Sequence, residues 1–202
     1  MNSINQASIP AIGTAFEGGF YAGRFQIDGQ QYALIVAPKA EGETSGKWGE
    51  HGQDVPGARS HNDGRANTLA MAEAGSALAQ WALGLSIAGH EDWYLPSRDE
   101  LEILYRNLKP TDNENYCSFR DGDNASSLPA GYPYTEESPA QTAIKAFQTG
   151  QPEAFEPRWH WASTQYSPHH AWGQNFGAGN QYGYHKLTEL RARAVRKIPV
   201  TN

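Results

Sequence analysis

The sequence predicts an α+β fold, and three observations carry the prediction. An Asp28-Gly29 pair separates two apolar runs, which marks a β-hairpin. Two stretches, 66–84 and the one that opens at Ser97, carry apolar residues at helical spacing. Residues 159–198 then break into short, aromatic, amide-rich segments divided by turns, the pattern of a twisted antiparallel sheet of short strands. Helices and strands segregated along the chain make an α+β domain.

In chain order, residues 1–15 are polar and then small, and are expected to form a loose N-terminal arm. Residues 16–202 are expected to form one domain. The hairpin joins Phe20–Ile27 to Gln31–Ala37. Residues 38–64 are rich in Gly, Glu and His, include Pro56, and read as an irregular connection. Ala70, Ala74, Leu78 and Trp81 place one face of a single helix over 66–84, with Gly84 as its stop. Ser97 and Glu100 make a capping box for the second of the two helices, and Leu101, Leu104, Tyr105 and Leu108 form its apolar stripe. Lys109-Pro110 ends it. Residues 110–158 are polar, broken by several Pro and Gly, and read as an irregular insertion on one face. The first and last strands are expected to pair.

Bulk properties exclude several functions. The 202 residues suffice for one core. A net charge of −6 argues against nucleic-acid binding and against anionic membrane surfaces. No apolar run approaches the ~18 residues of a spanning helix, so no membrane insertion is expected. Met1–Pro10 has neither the basic patch nor the apolar run of a secretory signal. A lone Cys117 allows neither an internal disulfide nor a cysteine zinc cluster.

Five motifs stand in order: Trp93, Leu95, Pro96, Ser97; Trp161, Ser163, Thr164, Tyr166; Ala171, Trp172, Asn175, Phe176; Gly179, Asn180; and Arg193, Val195, Arg196. In this order they resemble the Lcl-type C-terminal domain family, over roughly residues 64–198. Ala194 replaces a common Cys of the family's closing strand. The resemblance implies a C-type-lectin-like fold and a role in recognition, since such domains occur in bacterial adhesins and phage proteins, some similar to retroelement-diversified variable proteins. With the missing secretion signal it implies a virion component made in the host cytoplasm, such as a tail-fibre or receptor-binding subunit. The arm would dock onto the virion or onto sister subunits, as in a homo-oligomer. A structural virion decoration or connector is the first alternative. The second is an oxidoreductase like the formylglycine-generating enzyme, which needs a cysteine pair that this chain lacks.

The ligand-binding candidates are Gln165, Tyr166, His169, His170, Trp172, Gln174, Asn175, Asn180, Gln181, Tyr182, Tyr184 and His185. Tyr and Trp provide contact area at low entropic cost, and Asn, Gln and His provide adaptable hydrogen bonds. The expected partner is a bacterial surface glycan or protein. Ordinary sheet packing would instead bury half of these residues, with Trp172 and Phe176 first.

No cofactor and no catalytic residue is expected. His160, His169, His170 and His185 could be read as a metal site, but adjacent histidines in a turn point apart, so no metal is expected. Asp121-Gly122-Asp123-Asn124 starts like a calcium loop, but Ser126 and Tyr132 stand where its Gly and Glu belong. Asp99-Glu100 suits a helix N-terminus, and Glu136-Glu137 suits a solvated loop. Arg191, Arg193 and Arg196 are expected in salt bridges.

Overall fold

The computed structural model describes residues 3–118 and 120–201, so the expectations for Met1, Asn2, Phe119 and Asn202 lie outside it. Its strands are β1 (Ile4–Asn5), β2 (Ala15–Phe16), β3 (Gly19–Ile27), β4 (Gln30–Val36), β5 (Glu43–Gly46), β6 (Ser127–Leu128), β7 (Trp159–Gln165), β8 (His170–Asn175), β9 (Gln181–His185), β10 (Leu190–Arg193) and β11 (Val195–Thr201). Its helices are α1 (Lys39–Gly42), α2 (Gly64–Glu73), α3 (Ala77–Leu83) and α4 (Arg98–Leu108). The fold is α+β, with strongly curled, mostly antiparallel sheets.

The hairpin forms where the sequence places it. Ile27 pairs with Gln30 across a two-residue turn. Asp28 and Gly29 both have positive φ, 49° and 83°, the primed turn that Asp-Gly favours. β4 then pairs with β11 in antiparallel register, with Val36 opposite Val195. Around this centre a six-stranded sheet runs β1-β11-β4-β3-β2, with β6 also paired to β3.

The arm is not loose. Ile4 pairs with Val200 and Asn5 with Thr201 in parallel, so the last strand meets a strand of the arm, whereas the expected first strand, Phe20–Ile27, pairs with β4 and not with β11. Ile4, Ile9 and Phe16 pack on a buried cluster that includes Ile35, Trp93 and Ile198. Apolar side chains hidden in a mostly polar stretch anchor it.

The single helix expected over 66–84 is two, so the two helices expected become three, besides the one-turn α1. The break is a Schellman ending. Gly75 sits at φ +92°, Ser76 N–H donates to Met71 O at 2.9 Å and Gly75 N–H to Ala72 O at 3.0 Å. Ser76 then caps α3, its Oγ accepting from Ala79 N–H while donating to Trp48 O at 2.6 Å. A Cβ on Gly75 would meet nothing within 4 Å, so Gly75→Ala is expected to lose only the backbone term, about 1 kcal/mol. A urea titration that shows no loss would deny that the left-handed turn matters.

α4 keeps its capping box in both directions. Leu101, Leu104, Tyr105 and Leu108 are buried in the main core with Phe25, Leu34 and Val195. The 110–158 stretch is irregular, as expected, but it is not confined to a surface. Tyr134, Phe147 and Phe155 enter the same core, and Phe155 stacks on Phe176 at 4.2 Å. One staple of this stretch is Asn115, which accepts from Tyr105 Oη at 2.6 Å and donates to Pro139 O at 3.0 Å.

The one sheet expected for 159–198 is also divided. β5-β10-β7-β8-β9 form a second, five-stranded sheet. The chain leaves it at Ala194 and enters the first sheet as β11. Ala194 is fully buried beside Ala37 and Trp93, where its small side chain fits the crossing. The arginines pair as expected. Arg191 meets Glu43 at 3.0 Å and Glu156 at 2.5 Å, Arg193 meets Glu153 at 2.5 Å, and Arg196 meets Asp92 at 2.7 Å.

Candidate functional site: the groove at Trp172

Antiparallel pairing of β8 with β9 decides which candidates share a face. Trp172 stands opposite Gly183, and Gln174 stands opposite Gln181. Gly183 leaves the space beside Trp172 open, and a Cβ there would already crowd the Tyr166 ring at 3.2 Å. Tyr166 meets Trp172 edge-on, with ring centroids 5.1 Å apart. Tyr166, His170, Trp172, Gln181 and Tyr182 together line a cleft of about 290 Å³. Tyr166 and Tyr182 are 61% and 66% exposed, well above what strand packing alone would leave for large aromatics.

Trp172 is also a wall of a second cleft, about 460 Å³, lined by His61, Arg98, Asp99, Arg120 and Asp123. The Arg98 guanidinium lies 5.2 Å from the Trp172 ring centroid, and His61 meets the ring edge-on at 6.3 Å. Arg120 is paired with Asp123, and Arg98 with Asp99 at 3.2 Å. Burial raises the Asp99 pKa, opposed by a hydrogen bond from Ser126 and by Arg98. Burial and the Arg98 charge keep His61 below the ordinary histidine value. The two clefts make one groove with an indole at its middle, guanidinium and imidazole groups on one side, and phenol, amide and imidazole groups on the other. Arg98 Nε and Gln181 Oε1 are buried and have no hydrogen-bond partner among the described residues.

The remaining candidates lie elsewhere. Gln165 and Gln174 are buried. Gln165 accepts from Val55 N–H at 2.9 Å and from Lys186 Nζ at 2.6 Å, and donates to Asp54. Gln174 donates to Tyr134 Oη and to Gly179 O. Their amides hold the fold and are not displayed. Asn175 shapes the turn after β8, accepting from Gly177 N–H at 2.7 Å, and the Asn180 carbonyl accepts from Asn175 N–H at 3.0 Å. Tyr184 packs on Trp159 at 4.6 Å and meets Tyr182 edge-on at 6.1 Å, outside the lining of the Trp172 cleft. His169 and His185 stand at the end of the groove, beside His170.

Among the described residues no group of three or more His, Cys, Asp or Glu side chains is arranged to hold a metal ion. His160 is separated from the other histidines and buried against Phe155 and Phe176. Asp121 accepts from Gln181 N–H at 3.1 Å, and Asn124 is spent on Asp99 O and Glu102. Cys117 is exposed, with its thiol 3.4 Å from Asn115 O. No helix among the described residues is long and apolar enough to cross a membrane.

His61, Arg98 and Arg120 were not legible as neighbours of Trp172, nor His51 as a neighbour of His169 and His185. Arg98 carried one signal: a basic residue in the first turn of α4 opposes the helix dipole, which suggests a use other than helix stability.

The motifs that organise this site, from the Trp93–Ser97 corner to the β8 strand, match a family model over residues 43–196. The chain belongs to the Lcl C-terminal domain family. Members of the Lcl C-terminal domain family are adhesin-like recognition domains. No curated protein matches the chain by sequence. The Lcl match begins at β5, so the hairpin β3–β4 precedes it, yet that hairpin pairs with β11 at the C-terminal end of the matched span. Both halves of the groove fall inside the Lcl match.

Proposed function

We propose that this protein is a non-enzymatic recognition protein with a C-type-lectin-like fold, and that it binds a glycan on a bacterial surface through the Trp172 groove. One observation carries the reading. An indole is shared by two adjoining clefts and is surrounded by exposed phenols, an amide, imidazoles and a guanidinium. Apolar rings with a few convergent polar groups are the chemistry of small-ligand sites, and pyranose rings offer matching C–H faces and hydroxyls. Two clefts that share one indole wall suit neighbouring residues of a glycan chain. A virion role, in a tail fibre or receptor-binding subunit, agrees with the family's occurrence in phage proteins.

Labelled protein is expected to bind intact host bacteria saturably. Trp172→Ala and the exposed pair Tyr166→Ala/Tyr182→Ala should each weaken binding by about tenfold or more. Tyr184→Ala, on the Trp159 side, should leave it within about twofold. Periodate treatment of the cells should abolish binding. Binding that survives periodate but not protease would mean a protein receptor. Binding indifferent to all three groove substitutions in folded protein would remove the groove from the reading.

A further inference from the structure

We infer that His51, His169, His170 and His185 form a proton-operated gate at one end of the Trp172 groove, closed while the rings are neutral and opened as they take up protons. The effect on binding rests on the groove reading above; the gate itself does not.

Three segments bring the four rings together. His51 comes from the loop between β5 and α2, His169 and His170 from the turn into β8, and His185 from the end of β9. The ring centroids of His170 and His185 are 4.3 Å apart, those of His51 and His169 4.6 Å, and those of His51 and His185 5.7 Å. Such contacts suit neutral imidazoles. Cations at these separations repel, most strongly where water is partly excluded.

The turn has a second device. Ser167 Oγ accepts from His169 N–H at 3.2 Å and from His170 N–H at 3.1 Å. A hydroxyl has two acceptor sites and one proton. Its remaining capacity is therefore to donate to His170 Nδ1, 3.2 Å away. That bond requires a deprotonated Nδ1. Protonating His170 turns the acceptor into a donor facing a saturated oxygen, and the bond is lost.

The rings lie between fixed points. The loop carrying His51 is clamped at one end by Trp48, whose N–H donates to Lys186 O and whose Nε1 donates to Ala162 O, both at 2.9 Å. At the other end Gln53 O accepts from Lys186 Nζ at 2.6 Å. Between the clamps lie Gly49, Glu50, His51 and Gly52, the last at φ +79°. The charged neighbours are few. Glu50 adjoins His51 on the exposed loop, Asp54 is paired with Arg59 at 2.7 Å, and the Lys186 ammonium is turned toward Gln165. From the turn and β9 the groups facing His170 are His169 and His185, with Tyr166, Tyr182 and Gln181 on the groove side. Partial burial first, and then the charges of His185, His169 and His51, hold His170 below the ordinary histidine value. Its protons therefore bind more readily to the opened form. The closed form is fully favoured above the ordinary value and loses ground as pH falls through it.

His170 also lines the cleft with Tyr166 and Trp172. Tyr166 leads the same turn, and its N–H donates to His170 O at 3.0 Å. Opening the turn withdraws Tyr166 from Trp172 and dismantles that half of the groove.

Imidazole titration by NMR on the free protein, with a chelator present, tests the gate without a ligand. The His170 midpoint should lie below about 6.5, and it should rise in His51→Gln/His185→Gln. Amide protection at 48–54 and 166–170, corrected for intrinsic exchange, should fall by about tenfold or more between pH 7.5 and 5.5. Protection in β3 and β4 should hold. A His170 midpoint indifferent to the double substitution, or protection indifferent to pH, would overturn the gate. Cell binding at the two pH values tests the link: binding lost at pH 5.5 in the native protein and retained in the double variant supports it, and equal pH dependence in both overturns it. Absence of binding at every pH, with the NMR signature intact, supports the gate and counts against the groove reading alone.

Discussion

Replacing Glu100 by alanine is expected to destabilise the fold by at least about 3 kcal/mol, because it leaves three buried donors without an acceptor at roughly 1–3 kcal/mol each. Glu100 is fully buried. Its Oε2 accepts from Ser97 N–H at 2.7 Å and from Gly64 N–H at 3.0 Å, and its Oε1 accepts from Tyr94 Oη at 2.7 Å. One side chain thus closes the capping box of α4, satisfies the first amide of α2 and holds the Trp93–Ser97 corner. A Cβ on Gly64 would sit 2.3 Å from Glu100 Oε2 and 2.5 Å from Ser97 N, so the backbones have approached until only glycine fits. Burial raises the Glu100 pKa, and the bonds from Tyr94 and Ser97 oppose that rise. Glu100→Gln keeps one acceptor and should cost less than Glu100→Ala. Urea unfolding of both variants is the measurement, and a Glu100→Ala protein with an unchanged midpoint would mean that these bonds are replaced by solvent.

The second large effect is a loss of stability in acid traceable to His160. This ring is fully buried against Phe155 and Phe176. Its Nδ1 lies 3.0 Å from Arg158 O, so Nδ1 carries the proton, while Nε2 has no partner among the described residues. Burial first, with Arg191, Arg193 and Lys39 adding to it against the Arg158 bond, pushes its pKa down to about 3. The sign follows from linkage: the unfolded chain takes up this proton near the ordinary value, about 6.5, while the folded chain resists it. Its contribution is complete above that value and is lost as pH falls toward 3, on the order of 4–5 kcal/mol across the window. Glu43, Asp99, Glu102 and Asp121 work in the opposite sense, since burial raises each of their pKa values. The native pH curve is therefore a sum, and the difference between native protein and His160→Phe or His160→Gln isolates the histidine. That difference should shrink as pH falls from 7 to 4. A pH-independent difference in both variants would show that His160 is not the resisting base.

What local chemistry specifies was legible in the sequence. Asp28-Gly29 forces a primed turn whatever surrounds it, Ser97 and Glu100 cap a helix within one turn, and Leu101, Leu104, Tyr105 and Leu108 mark one helix face. The ordered motifs from Trp93 to Arg196 identified the family. Signals of this kind act over a few residues, so they can be read without knowing what packs against them. Some local signals were outweighed by others just as local. The periodicity across 66–84 outshone Gly75, whose left-handed turn ends α2.

The groove could not be read this way, because no local rule brings its parts together. His61, Arg98, Arg120 and Trp172 meet only when β8 lies beside β9 and α4 crosses the sheet. The same pairing sets Tyr182 and Tyr184 on one face of β9, their rings 6.1 Å apart, yet Tyr182 lines the Trp172 cleft and Tyr184 packs on Trp159. Nor does residue type reveal fate: Gln165 and Gln174 have the composition of a binding surface and the positions of core hydrogen-bonding groups. Side-chain chemistry determines what a residue can do. Long-range pairing determines whether it faces solvent, and that depends on contacts between residues far apart in the chain.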